Sequence, residues 1–174
     1  NIAGVVDVND LEAYARTLPN VEFATTLLYS CSPDGLEKIK QAIAEHRLNR
    51  VVVTSCTVRT HGPIFMEACR EAGLNPYLFE MGNIRDQCSW VHGDNPEAAT
   101  AKARRILAAA VGKSRRLKAL TRQQVPIERR ALILGGGLAG MSAALALADQ
   151  GHEVHLVERQ AQLGGQAVNL NRTS

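Results

Sequence analysis

No stretch of about 18 uncharged apolar residues occurs in the 174 residues, so the sequence offers no candidate for a membrane-spanning helix. Aromatic residues make up only 4% of the chain, and none lies between Pro96 and Arg130, where ten of the twenty Lys and Arg gather against Glu97 and Glu128 alone. A basic run without stacking platforms reads as the solvated face of a long amphipathic helix that steers acidic or phosphate-bearing partners, and no nucleic-acid partner is expected. Cysteine is absent after residue 88. The four that exist, Cys31, Cys56, Cys69 and Cys88, include no C-x-x-C pair, which argues against a thioredoxin-like dithiol; reduced thiols, a metal or redox chemistry remain as competing explanations. The chain opens NIAGVVDV, with neither Met nor the basic, apolar, small-residue series of an export signal, as expected of a sequence starting at an internal point.

What is present is a globular composition, 45% hydrophobic with a net charge of +3, in a chain long enough for one or two cores. Leu11, Tyr14, Ala15 and Leu18 recur at helical spacing before Pro19, and VEFATTLLYS reads as extended. SPDGLEKIKQAIAEH predicts a helix and RVVVTSC a short buried strand. GPIFMEACREAGL predicts a helix starting at its early Pro, and NPYLFE another strand. Helices alternating with strands argue for a small parallel sheet covered by helices, with ligands beyond the carboxyl ends of the strands, where Cys31 and Cys56 fall. Cys88 is expected in a helical turn, and Cys69 within a helix on the stripe of Phe65, where a small thiol can simply pack. Asn95 and Pro96 open a long helix with Ala99, Ile106, Leu107, Ala110 and Val111 as its apolar stripe, weakened or ended at Gly112. TRQQVPIERR reads as a linker, which divides the chain into an α/β cysteine-containing domain over 1–94, a basic helix and linker over 95–125, and a nucleotide-binding region over 126–174.

That last region carries the sharpest signal. Gly135, Gly137 and Gly140 form G-x-G-x-x-G directly after the apolar run ALIL and before an Ala/Leu-rich helix. In such a β-α-β unit the first glycine makes the sharp turn, the second admits a pyrophosphate to the backbone, and the third lets helix and strand pack closely. The helix start, with Gly136, Leu138 and Ala139 in the turn, offers amides and partial positive charge to phosphate. HEVHLVE ends in Glu158, eighteen residues past Gly140, placed to accept hydrogen bonds from an adenosine ribose and to repel a 2′-phosphate unless Arg159 offsets it. The glycine triplet by itself serves FAD and NAD alike.

The segment ERQAQLGGQ resembles flavoproteins with two dinucleotide-binding domains, in which an acidic and a basic residue are followed by a Gly-Gly turn; Gly164 and Gly165 match that pair, Gln166 beside them is a further candidate for cofactor binding, and FAD is the dinucleotide this implies. GLNPYLFEMGNIRDQCSWVH and the paired glycine motifs resemble the A-type subunits of heterodisulfide reductase, an iron-sulfur flavoprotein family of flavin-based electron bifurcation. The resemblance implies an amino-terminal domain with a [4Fe-4S] cluster, for which Cys31, Cys56, Cys69 and Cys88 match family cysteines, followed by the first β-α-β of a Rossmann-type FAD domain. It also implies a cytoplasmic complex with other heterodisulfide reductase subunits, a hydrogenase, formate dehydrogenase or NAD(P)H module, and ferredoxin. One β-α-β unit is less than half a dinucleotide-binding domain, so the chain is expected to be a fragment, inactive by itself, with no catalytic side chain. The rival readings are a structural zinc, with His61 and His92 as further ligands, and a non-enzymatic relay or assembly module with free thiols. Trp90 is expected to be a packing anchor.

Overall fold

A computed structural model describes residues 2–170. The chain divides into two compact units, Asn1–Thr121 and Arg122–Ser174.

The first unit opens with α1, Val8–Thr17, whose start is capped by Asp7: its carboxylate accepts from the amides of Asn9 and Asp10 at 3.1 and 2.9 Å. Residues 21–27 join no sheet, which corrects the strand expected over 21–30. Side chains of α1 hold this segment instead, with Arg16 donating to the Ala24 carbonyl and Glu12 accepting from the Thr26 amide, so its backbone has partners without a ladder. Ser32 caps α2, Pro33–Glu45, and Pro33 fills the first helical position, where a missing N–H costs nothing. Next come β1, Val51–Ser55, and α3, Val58–Glu71. The cap of α3 is Thr57, so the helix starts earlier than its proline predicted and Pro63 lies inside it. A tight turn over Pro76–Leu78 leads to β2, Phe79–Asn83, which pairs with β1 in parallel from Val51 opposite Phe79 to Ser55 opposite Asn83. This sheet therefore has two strands where three were expected. A π-helical turn over Arg85–Ser89 precedes α4, Pro96–Ser114.

Far from being a separate connector, α4 supplies core to the first unit: Ala99, Ala103, Leu107 and Val111 pack with Val6, Leu11, Ala15, Ile84 and Cys88. A second cluster unites Ile43, Val53, Phe65, Cys69, Leu74, Leu78 and Phe79. Gly112 does not stop α4, which continues to Ser114; there the Arg50 guanidinium donates to the carbonyls of Ser114 and Leu117 at 3.2 and 3.1 Å and satisfies the helix end. Trp90 is no core anchor. It is 61% exposed, with the Arg85 guanidinium 4.9 Å over its ring.

The second unit is one β-α-β: β3, Arg130–Leu134, then α5, Leu138–Asp149, then β4, Glu153–Val157. Its strands pair in parallel, Arg130 opposite Glu153 through Leu134 opposite Val157. A short turn over Gly165–Asn169 follows. No residue of α5 is buried, and Leu132, Leu134 and Val157 stand largely exposed on their strands.

Candidate dinucleotide site and the cysteines

Gly135 has φ +106, a conformation that favours glycine, and its amide donates to the Val157 carbonyl at 2.8 Å, closing the turn onto the end of β4. A Cβ on Gly140 would collide with the Gly135 carbonyl, so the last glycine of the motif has no room for a side chain, while the first is restricted by its backbone conformation. Gly137 is different, since nothing lies within 4 Å of where its Cβ would be. It is the residue before α5, and no side chain caps that helix, so the amides at its start carry partial positive charge toward an open approach.

Glu158 turns back onto this loop. One carboxylate oxygen accepts from the Gly136 amide at 2.7 Å and the other from the Gln160 amide at 2.9 Å. These two donated N–H groups, Gln160 foremost, hold its pKa below the ordinary carboxylate range, and the nearby Arg159 charge adds to the effect. Gly164 then donates its amide to the Gly136 carbonyl at 2.8 Å and forms a parallel bridge with Gly137. Gly164 and Gly165 both have positive φ, +117 and +52, and a Cβ on Gly165 would stand 3.0 Å from the Gly137 Cα. The Gly-Gly turn thus lies directly on the glycine loop. Leu138, Ala139, Arg159 and Gln166 are exposed or half-buried around it. Sequence reasoning missed Leu163, whose side chain occupies the space a Cβ on Gly136 would need; its position immediately before the Gly-Gly pair is the signal that could have found it.

The cysteines are distributed otherwise. Cys69 is fully buried beside Phe65, and burial pushes its thiol up to about 11. Cys88 is also fully buried, in the other cluster, and burial raises its thiol as well. Cys31 is half-buried ahead of the α2 cap and packs against the second cluster. Cys56, just past β1, has its sulfur 3.4 Å from His61 Nδ1, which also meets the Thr60 hydroxyl at 2.7 Å. Among the described residues no three of His, Cys, Asp and Glu stand together so as to hold a metal ion. The structure therefore does not bring Cys31, Cys56, Cys69 and Cys88 into one ligand set, and the two in the apolar clusters behave as packing groups. His92 is half-buried and joins no such group.

A parallel β-α-β with glycines at its first crossover and an acid at the end of its second strand defines a dinucleotide-binding unit of the Rossmann type. In agreement, residues 133–173 match the NAD(P)-binding Rossmann-like domain family. The whole chain is similar to a protein of Archaeoglobus profundus named as like the A-type subunit of heterodisulfide reductase, 52% identical over 99% of this chain and 25% of the relative. It is 50% identical to the second A-type iron-sulfur subunit of the CoB–CoM heterodisulfide reductase of Methanopyrus kandleri, over 99% of this chain and 26% of the relative. It is 46% identical to the A-type subunit of the ferredoxin/F420H2-dependent CoB–CoM heterodisulfide reductase of Methanosarcina acetivorans, over 98% and 22%. Over almost its entire length the chain is thus similar to part of the A-type subunit of heterodisulfide reductase, and it spans about a quarter of the length of these relatives. No helix among the described residues is long and apolar enough to cross a membrane.

Proposed function

We propose that the second unit holds the adenosine diphosphate portion of FAD, within an oxidoreductase subunit of heterodisulfide reductase that passes electrons between flavin and [4Fe-4S] clusters. The observation that carries this reading is the closure of Glu158 and the Gly164–Gly165 turn onto the glycine loop. Gly137 admits the diphosphate to the backbone, and the first amides of α5 face its charge. Glu158 keeps lone pairs on both oxygens for the ribose hydroxyls, while its charge disfavours a 2′-phosphate. The Gly-Gly turn, resembling that of flavoproteins, favours FAD over NAD. When bound, the flavin supplies exchange between two-electron and one-electron carriers; the chain positions it and excludes competing contacts, and no side chain is assigned to acid-base or nucleophilic work.

The four cysteines of this chain do not fit a common cluster, so no step is assigned to them. Burial of Cys69 and Cys88 in apolar packing also favours a second reading, a relay or assembly module in which the first unit carries no cluster. The partners of the proposed enzyme are other heterodisulfide reductase subunits, a hydrogenase, formate dehydrogenase or NAD(P)H module, and ferredoxin, in the cytoplasm. Ferredoxin is supported by the name of the Methanosarcina acetivorans relative.

Anaerobic purification followed by identification of released dinucleotide, and by iron, sulfide and zinc analysis, tests both readings. FAD in the extract and tighter rebinding of FAD than of NAD⁺ is the expected result. Binding of NAD⁺ with exclusion of FAD would overturn the flavin assignment, and zinc without iron would favour the second reading.

A further inference from the structure

Gly136 is a motif position that G-x-G-x-x-G leaves unspecified, yet its surroundings are fully committed. Its amide is taken by Glu158, its carbonyl by the Gly164 amide, and its open face by the Leu163 side chain, with Glu158 Cβ and one carboxylate oxygen 3.3 Å from the same point. Gly136 is buried as a result, although the rest of the turn is not. We propose that Leu163 is a positioning residue that seals the hydrogen bond between Glu158 and Gly136, and so fixes the acid that discriminates between a free and a 2′-phosphorylated adenosine ribose. This rests on the reading of the loop as an adenine dinucleotide site.

The physical argument concerns the freedom of the acid. A glutamate has three rotatable bonds, and an exposed hydrogen bond to it competes continuously with water. Leu163 Cδ2 and one Glu158 carboxylate oxygen approach the same point beside Gly136, so the Leu163 methyl keeps water from that side of the donor residue while the outer part of Leu163, a residue 49% exposed, faces solvent. The Gln160 amide fixes the second oxygen but does not shield the first. Leu163 reaches this place because the turn behind it is built from two left-handed glycines pressed on Gly137, which sets where residue 163 points. Truncating Leu163 therefore leaves every group that faces the nucleotide in the sequence, while releasing the one whose placement sets the ribose preference.

The test compares wild-type protein with Leu163→Ala, the conservative Leu163→Met, and Gly136→Ala, which crowds the same contact from the other side. ADP-ribose and its 2′-phosphate serve as probes of the adenosine end, with dissociation constants from titration calorimetry and thermal melting as the folding control. Leu163→Ala is expected to weaken ADP-ribose by about tenfold, the effect of loosening one hydrogen bond to a charged group, and to weaken the 2′-phosphate less, so that the ratio between them narrows. Leu163→Met restores the ratio, and Gly136→Ala narrows it as Leu163→Ala does. An unchanged ratio in Leu163→Ala, whatever its melting temperature, overturns the role of Leu163 alone. Failure of the wild-type protein to bind ADP-ribose, FAD or NAD⁺ overturns the dinucleotide reading and this inference with it.

Discussion

Replacing Gly140 by Ala adds one methyl group at the third residue of α5, and the structure gives two opposing effects. Alanine is the better helix former by up to about 1 kcal/mol. The added Cβ, however, collides with the Gly135 carbonyl, which belongs to backbone and has no rotamer by which to retreat. Forcing an extra methyl into such a contact costs about 1–3 kcal/mol, so after the helix gain a net loss of up to about 2 kcal/mol is expected, accompanied by displacement of the start of α5 from the strand. Hydrogen bonds to a charged phosphate are worth about 1.5–3 kcal/mol each, and misplacing one amide would weaken a dinucleotide roughly ten- to a hundredfold. Gly137→Ala is the informative comparison. Its φ of −74 suits alanine and no atom lies within 4 Å of the new methyl, so the fold is unaffected while the approach to the backbone is blocked. Calorimetric melting and FAD titration of both variants check the reasoning: Gly140→Ala loses stability and affinity together, Gly137→Ala affinity alone. Wild-type melting and binding in Gly140→Ala, or wild-type binding in Gly137→Ala, would refute it.

Three other outcomes follow from contacts already described. Arg50→Ala removes the donors that satisfy the end of α4, and a loss of about 1–2 kcal/mol in denaturant unfolding is expected, with Arg50→Lys recovering only part because an ammonium lacks the planar fork. Glu158 has its folded-state pKa depressed, so the stability it contributes is present above the ordinary carboxylate pKa and is lost as pH falls through the lowered value; a side-chain carboxyl titration by NMR should show a midpoint below that of an unstructured glutamate, and a normal midpoint would remove the hydrogen bonds assigned to it. Cys69, with its thiol near 11 and no exposure, should be alkylated far more slowly than Cys31 when native protein is treated with iodoacetamide at about pH 8 and mapped by mass spectrometry. Equal labelling of the two would contradict its burial.

The parts of this molecule legible in the sequence are those where the backbone itself restricts the residue. Gly135 and Gly140 stand where a side chain is strained or collides, so the strand-turn-helix could be read from their spacing alone. Cys69 was legible for a similar reason, because helical spacing puts it on the stripe of Phe65. Residues 21–30 misled because their β-branched and apolar content suits an extended chain, whereas membership of a sheet needs a neighbouring strand that no local pattern encodes. Pro63 misled as a helix start because the Thr57 cap recruits further residues into the helix ahead of it. The exposure of Trp90 and the separation of the cysteines depend on which surfaces meet after folding, and spacing along the chain holds no record of that.

The outward leucines of β3 carry a practical consequence. With Leu132 65% and Leu134 76% exposed beside Val157, the β-α-β presents an apolar face of the kind that further strands and helices cover in a complete doubly wound sheet, and variants are best compared in a chain as long as the relatives.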